Sequence, residues 1–168
     1  EKDPSRVSAQ LERLLELAQS AMHEIHVLVA QLKPGPTETM GLVDRLNWLF
    51  SEQRRLNQME ISLEKIGERE LDEATTRGLC RIVQEALTNV AKHSGTNRAT
   101  VRLDLSTQPA FLEVEDQGSG FDASSIHSQA GHLGLTAMAA QASEIGWRLS
   151  IHSQPGNGAR LHIEEINQ

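Results

Sequence analysis

Val7, Leu11, Leu14, Ala18, Ala21, Ile25, Leu28 and Leu32 follow one another in alternating steps of four and three residues, and Pro34-Gly35-Pro36 ends the run. Such steps keep side chains on one stripe of a helix. Proline lacks the backbone donor and biases the residue before it away from helical geometry, so the stop is firm. The spacing therefore predicts one helix over residues 1–34, capped by Asp3 or Ser5 and about 40 Å long at 1.5 Å per residue. Leu15, Met22 and Val29 widen the seam to three positions per heptad, which suits a helix of a four-helix bundle better than a two-stranded coil. A helix of that length does not lie flat on one small domain, and no adjacent helix matches it. Partner helices are expected, with packing on its own domain as the alternative.

Beyond the proline stop the periodicity changes. Leu42, Val43, Leu46, Leu49 and Phe50 mark a helix over 39–56, and Met59, Ile61 and Leu63 alternate as a strand does. A further helix is predicted over 70–94. Two strands follow, with Val101, Leu103 and Leu105 inward on the first and Ala110, Leu112 and Val114 inward on the second. The polar, glycine-bearing stretch 117–133 is long for a connection inside a compact domain, and such loops usually bind or cover something. A helix over 135–145 and strands over 147–153 and 160–165 complete the chain, with Pro155-Gly156-Asn157-Gly158 as the turn between them. This order implies one mainly antiparallel sheet with helices on one face, an α+β fold.

Composition narrows the function. Sixteen Lys and Arg against 23 Asp and Glu leave a net charge of −7, the wrong sign for a surface that neutralises nucleic-acid phosphates. With 3% aromatic residues there is little on which bases could stack. The single cysteine, Cys80, excludes an internal disulfide and a cysteine zinc cluster, and its place beside an apolar run reads as a small core residue. No apolar stretch reaches membrane-spanning length. No nucleic-acid or membrane contact is expected of this segment, and a cytoplasmic setting is.

The candidate chemistry follows an order along the chain. On the helix over 70–94, Glu85, Asn89 and Lys92 or His93 form a polar stripe beside the apolar face, which by itself could be a solvated surface. Asp116 continues the parity of Ala110, Leu112 and Val114, so its carboxylate leaves the strand on the buried side and needs a donor. The exocyclic amine of adenine is one such donor. The alternative is a carboxylate that merely opens a turn with Gly118. Gly118 and Gly120 would let backbone pass close to a ligand. Gly131-His132-Leu133-Gly134 stands before a helix, where free N–H groups attract anions. His152 and His162 fall on the polar side of the last two strands, a solvated face with a metal pair as the alternative. His127, within 117–133, carries no assignment.

In that order the segments resemble a known family. Arg81-Ile82-Val83-Gln84-Glu85-Ala86-Leu87-Thr88-Asn89-Val90-Ala91-Lys92-His93-Ser94 resembles the N box of sensor histidine kinases. Val114-Glu115-Asp116-Gln117-Gly118-Ser119-Gly120-Phe121-Asp122 resembles their first glycine box, and Gly131-His132-Leu133-Gly134-Leu135-Thr136-Ala137-Met138 the second. The variant is similar to the nitrate-sensor and desaturase-regulator subfamily of bacterial two-component kinases. Glu24-Ile25-His26, Leu32-Lys33-Pro34 and Gly41-Leu42 resemble that subfamily's second dimerisation helix and the entry to its ATPase domain.

The resemblance implies a two-layer α/β sandwich of the histidine kinase and Hsp90 ATPase type over 36–168, preceded over 1–34 by the second helix of a dimerisation bundle whose first helix is missing. It implies ATP and Mg²⁺ as cofactors, Asn89 as the metal ligand and Glu85 as the catalytic residue that orients or deprotonates. Lys92 and His93 would lie near the phosphates, Asp116 would hold adenine, Gly118 and Gly120 would floor the pocket, and Gly131, His132, Leu133 and Gly134 would close over the phosphates. The implied reaction moves the γ-phosphoryl group to a histidine and onward to a response regulator, within a homodimer formed through the bundle in the parent protein. A regulatory binding module of the same fold, resembling an anti-sigma factor or a degenerate kinase, is the alternative.

Departures from the family pattern are local. Gln117 stands where asparagine is usual, Ala139-Ala140-Gln141-Ala142 where arginine and acidic residues are common, and Gly146-Trp147 where a glycine pair is common. His23-Glu24 imitates a phosphoacceptor pair, with His26 beside it. The resemblance puts both histidines on the second bundle helix and the phosphoacceptor upstream of Glu1, so the segment by itself is expected to lack autophosphorylation.

Overall fold

The chain divides into the units Glu1–Thr37 and Glu38–Gln168. The computed structural model describes residues 40–122 and 133–166, all in the second unit. The helix expected over 1–34, with His23 and His26, lies outside the described residues, as do His127, Gly131 and His132.

The second unit opens with α1 (Leu42–Asn57), in which Leu42, Leu46, Leu49 and Phe50 recur on one face and are buried. Strand β1 (Glu60–Ile66) follows, with Met59 and Ile61 turned into the core. Helix α2 (Glu73–His93) starts three residues later than its periodicity predicts, because Asp72 caps it. The Asp72 carboxylate accepts the Thr75 N–H at 2.8 Å and the Thr75 hydroxyl at 2.7 Å, satisfying a backbone donor at the helix start. Arg45 of α1, itself buried, donates to both carboxylate oxygens of Glu73 at 3.0 and 2.6 Å and to the Met40 carbonyl at 2.8 Å, so α1 is fastened to the first turn of α2.

Strands β2 (Arg98–Asp104) and β3 (Phe111–Asp116), helix α3 (Leu133–Glu144) and strands β4 (Trp147–Ser153) and β5 (Ala159–Glu165) complete the unit. The sheet order is β1-β2-β3-β5-β4. All neighbours are antiparallel except β1 and β2, whose parallel pairing follows from the helix between them in sequence. All three helices pack against one another or the sheet around one core that includes Leu79, Ile82, Leu87, Val101, Leu112 and Ile163. Val101, Leu103, Leu105, Ala110, Leu112 and Val114 all point inward as their parity predicts.

The other sheet face carries charge in alternating sign. Arg102 bonds Glu64, Glu113 and Glu115, Arg160 bonds Glu115, and Arg148 pairs with Glu164. His162 lies 3.3 Å from Glu113 and 3.7 Å from Glu164, while His152 is exposed. Among the described residues no group of three acid, histidine or cysteine side chains is arranged to hold a metal. Cys80 is half-buried against the core, and burial pushes its thiol up to about 11. No helix among the described residues is long and apolar enough to cross a membrane.

Candidate active site

Helix α2 carries the predicted polar stripe and is the axis of the site. Its apolar positions Leu79, Ile82, Val83, Ala86, Leu87 and Val90 are buried, which fixes the rotation of the helix and leaves Glu85 and Asn89 half-buried on the adjoining face. Lys92 and His93 are exposed in the last turn. The helix C-terminus favours cations, so the Lys92 charge suits that end with or without a ligand.

The second motif reaches the same end of α2 from the sheet. Asp116 closes β3 with 7% of its surface exposed, so it is buried as the strand parity predicts. One carboxylate oxygen accepts the Gly118 N–H at 2.8 Å. The carboxylate is buried as the parity predicts, and it makes the turn with Gly118 that was given as the alternative. Burial pushes its pKa above the ordinary carboxylate value. The N–H groups of Gly118 and Ala159 oppose that shift, and the charge of Glu115 adds to it.

The loop after Asp116 then docks on the helix end. The Ser119 N–H donates to the Ser94 carbonyl at 2.6 Å, and the Ser119 hydroxyl reaches the His93 carbonyl at 3.4 Å. A side chain at Gly118 would run into the Ser94 carbonyl and come within 2.6 Å of the Ser94 Cβ. At Gly120, whose φ is +59°, it would meet the carbonyls of Gln154 and Gly158. The space these glycines leave is thus filled by this chain's own backbone, an account the sequence reading, which assigned it to a ligand, did not contain.

The third motif meets the stripe at Gly134, in the first turn of α3. A Cβ there would lie 2.6 Å from Oε1 of Glu85 and 3.8 Å from Nδ2 of Asn89. Leu133 opens the helix. The structure therefore gathers Glu85, Asn89 and Gly134 at one point of α2, and joins Asp116, Gly118 and Ser119 to its C-terminal end. Three stretches spread over more than fifty residues of sequence converge on two turns of one helix.

Sequence reasoning missed Ser94, Ser119 and the β4–β5 turn. The turn was legible only as a turn, yet its Gly156 N–H donates to the Ser119 carbonyl at 2.6 Å, and Gly158 packs against the Asp116 carbonyl. A second glycine placed beside the strand that pairs with Asp116 was the available signal. A cleft of about 390 Å³ bounded by Asp116, Ser153, Gln154, Asn157, Gly158 and Arg160 adjoins this junction. A wider one of about 570 Å³ lies at the start of α2, between Met40, Leu71, Glu73 and Leu105, and contains none of the motif residues. Volume alone does not mark the site. The donor and acceptor groups do.

Comparison with known proteins identifies the family of the domain. Residues 74–167 match the family model described as histidine kinase-, DNA gyrase B- and HSP90-like ATPase. The chain is 32% identical over 164 residues to the sensor histidine kinase LiaS of Bacillus subtilis, covering 97% of this chain and 45% of that protein. It is 34% identical over 147 residues to the sensor histidine kinase YhcY of the same organism, covering 88% of this chain and 37% of that one. It thus spans less than half the length of these relatives. Among solved structures, the histidine kinase domain of the blue-light activated kinase of Erythrobacter litoralis superposes with a TM-score of 0.62 at 19% identity, covering 79% of this chain and 64% of that one, which is a likeness of fold. With the matched model covering more than half of its length, the chain belongs to the histidine kinase-, DNA gyrase B- and HSP90-like ATPase family and carries the ATPase domain of a sensor histidine kinase.

Proposed function

We propose that this chain binds Mg-ATP beside the C-terminal half of α2 and presents the γ-phosphoryl group to a histidine carried on a helix upstream of Glu1, for relay to an aspartate of a response regulator. Domains of this family bind ATP. The observation that carries the finer reading is Asp116: a buried carboxylate at the end of β3, on a loop bonded to the end of the helix that bears Asn89. An acceptor so placed fits the exocyclic amine of adenine, and it selects against bases that offer a carbonyl there.

The donor set of α2 fits the other end of the nucleotide. The Asn89 amide supplies the hard oxygen that Mg²⁺ prefers, with phosphates and water completing its shell. Bound there, the cation would offset phosphate charge. Glu85, one turn earlier, is set to orient a water or the attacking imidazole, and Lys92 adds positive charge near the phosphates, with His93 beside it. Phosphoryl transfer needs mainly alignment and charge stabilisation, so few groups suffice. In this reading residues 1–34 are the second helix of a dimerisation bundle, 36–168 are the ATP-binding domain, and both work in the cytoplasm as part of a homodimer.

Calorimetric titration of the chain with Mg-ADP and with a non-hydrolysable ATP analogue tests the reading. Saturable binding that Asp116→Asn weakens supports it. No heat from either ligand overturns it.

A second reading draws on α3. Ala139 and Ala140 are exposed and Gln141 half-buried, so no charged side chain stands on α3 until Glu144. A helix without the charges common in active kinases suits a nucleotide-binding regulator that does not turn over. Supplying a separate histidine-bearing bundle helix with labelled ATP distinguishes the two, since only the kinase labels it.

A further inference from the structure

We propose that Ser153, which lies outside all three motifs, is a positioning residue that holds the loop after Asp116 in the shape needed to receive the base; this rests on the nucleotide reading above. Ser153 ends β4, and its hydroxyl is used on both sides. It accepts the Phe121 N–H at 2.9 Å and donates to the Gly158 carbonyl at 2.7 Å. One side chain thereby joins the exit of the glycine loop to the far end of the β4–β5 turn.

The joint is one of two hydrogen-bonded links between the glycine loop and this turn. In the other, the Gly156 N–H donates to the Ser119 carbonyl. Gly120 and Gly158 lack side chains where the segments touch, at the Gln154 and Asp116 carbonyls, so the two backbones close together. On its other side the loop is fixed to α2 by Ser119 and Ser94. Residues 116–121 are therefore clamped between a helix end and a hairpin turn, and the Gly118 N–H that the Asp116 carboxylate accepts lies within the clamped stretch. On the turn side of the clamp Ser153 works through its side chain, so a single substitution can remove its bonds without altering the backbone. Ser153 lines the groove there with Gln154 and Asn157, and threonine is the substitution that keeps its hydroxyl.

The test compares the unaltered chain with Ser153→Ala and Ser153→Thr. Two measurements are made on each: amide hydrogen exchange at Phe121 without nucleotide, and affinity for Mg-ADP by calorimetry. Ser153→Ala should speed Phe121 exchange and weaken Mg-ADP about three- to tenfold, as expected for one ordinary hydrogen bond. Ser153→Thr keeps the hydroxyl and should return both to within twofold of the unaltered chain, which a loss of packing alone would not do. Unchanged Phe121 exchange in Ser153→Ala overturns the proposal. So does Mg-ADP affinity within twofold of the unaltered chain despite faster exchange, and in that outcome the nucleotide reading stands. Failure of the unaltered chain to bind Mg-ADP overturns both.

Discussion

Replacing Asp116 by asparagine should move stability and nucleotide affinity in opposite directions. The carboxylate is buried, and burial is the largest influence raising its pKa in the folded chain. A group whose folded pKa lies above its unfolded value contributes stability below the unfolded value, and that contribution is lost as pH rises through the folded one. At neutral pH the ionised Asp116 is therefore a cost to the free protein. Asparagine keeps an oxygen for the Gly118 N–H at 2.8 Å and carries no charge, so Asp116→Asn should raise the urea midpoint at pH 7. The gain should shrink on acidification through the folded pKa and vanish below the ordinary carboxylate value of about 4, where the aspartate is neutral as well. Affinity should fall instead. A hydrogen bond to a charged acceptor contributes about 1.5–3 kcal/mol, or roughly ten- to a hundredfold in Kd. Urea titrations between pH 3.5 and 7.5, paired with Mg-ADP calorimetry at pH 7.5, measure both. A variant destabilised equally at every pH would refute the burial argument. Undiminished affinity would refute the contact with the base.

Three further outcomes follow from close contacts. Gly118→Ala forces a methyl against the Ser94 carbonyl and should cost about 1–3 kcal/mol of stability, read as a lower urea midpoint with unchanged slope. Gly78→Ala places a methyl 2.7 Å from Cγ2 of Ile145, where α2 and α3 meet, and should cost a similar amount; that cost should be smaller in an Ile145→Ala background, which removes Cγ2 and Cδ1, and strict additivity in the double-mutant cycle would contradict the contact. Cys80, with its thiol pushed up to about 11 by burial, should react slowly with a thiol reagent at pH 7.5 and at full rate once urea unfolds the chain.

Most of the second unit was legible in the sequence because each element stands half in the core. Strand parity at Val101, Leu103, Leu105, Ala110, Leu112 and Val114 translated into burial without exception. The 3.6-residue period of Leu79, Ile82, Val83, Ala86, Leu87 and Val90 fixed which side of α2 could face a ligand. Helix starts were less legible. Asp72 decides where α2 begins through two bonds to Thr75, and a periodicity argument does not weigh such bonds against the continuing pattern. The parallel β1–β2 pair was implicit in element order, and pairing partners were not, because register depends on which inward rows meet across the core.

The site divides along the same line. Residues whose placement is set by their own element, Glu85 and Asn89 on a helix face and Asp116 on a strand face, could be picked out from spacing as candidates, with their proposed roles coming from the family resemblance. Residues whose role is set by meeting another segment could not, and the glycines show why. Gly118, Gly120 and Gly134 signal in sequence only that something comes close; the sequence is silent on whether it is a phosphate or a neighbouring strand. In the fold, Gly118 admits the end of α2, Gly120 admits the β4–β5 turn, and Gly134 admits the Glu85 carboxylate. Each absent side chain lets one motif touch the next element, so the glycines bring the motif segments together before any ligand meets them. A substitution there should therefore lower stability and affinity together, whereas Asp116→Asn separates them. That contrast is how scaffold and contact residues in this site can be told apart by measurement.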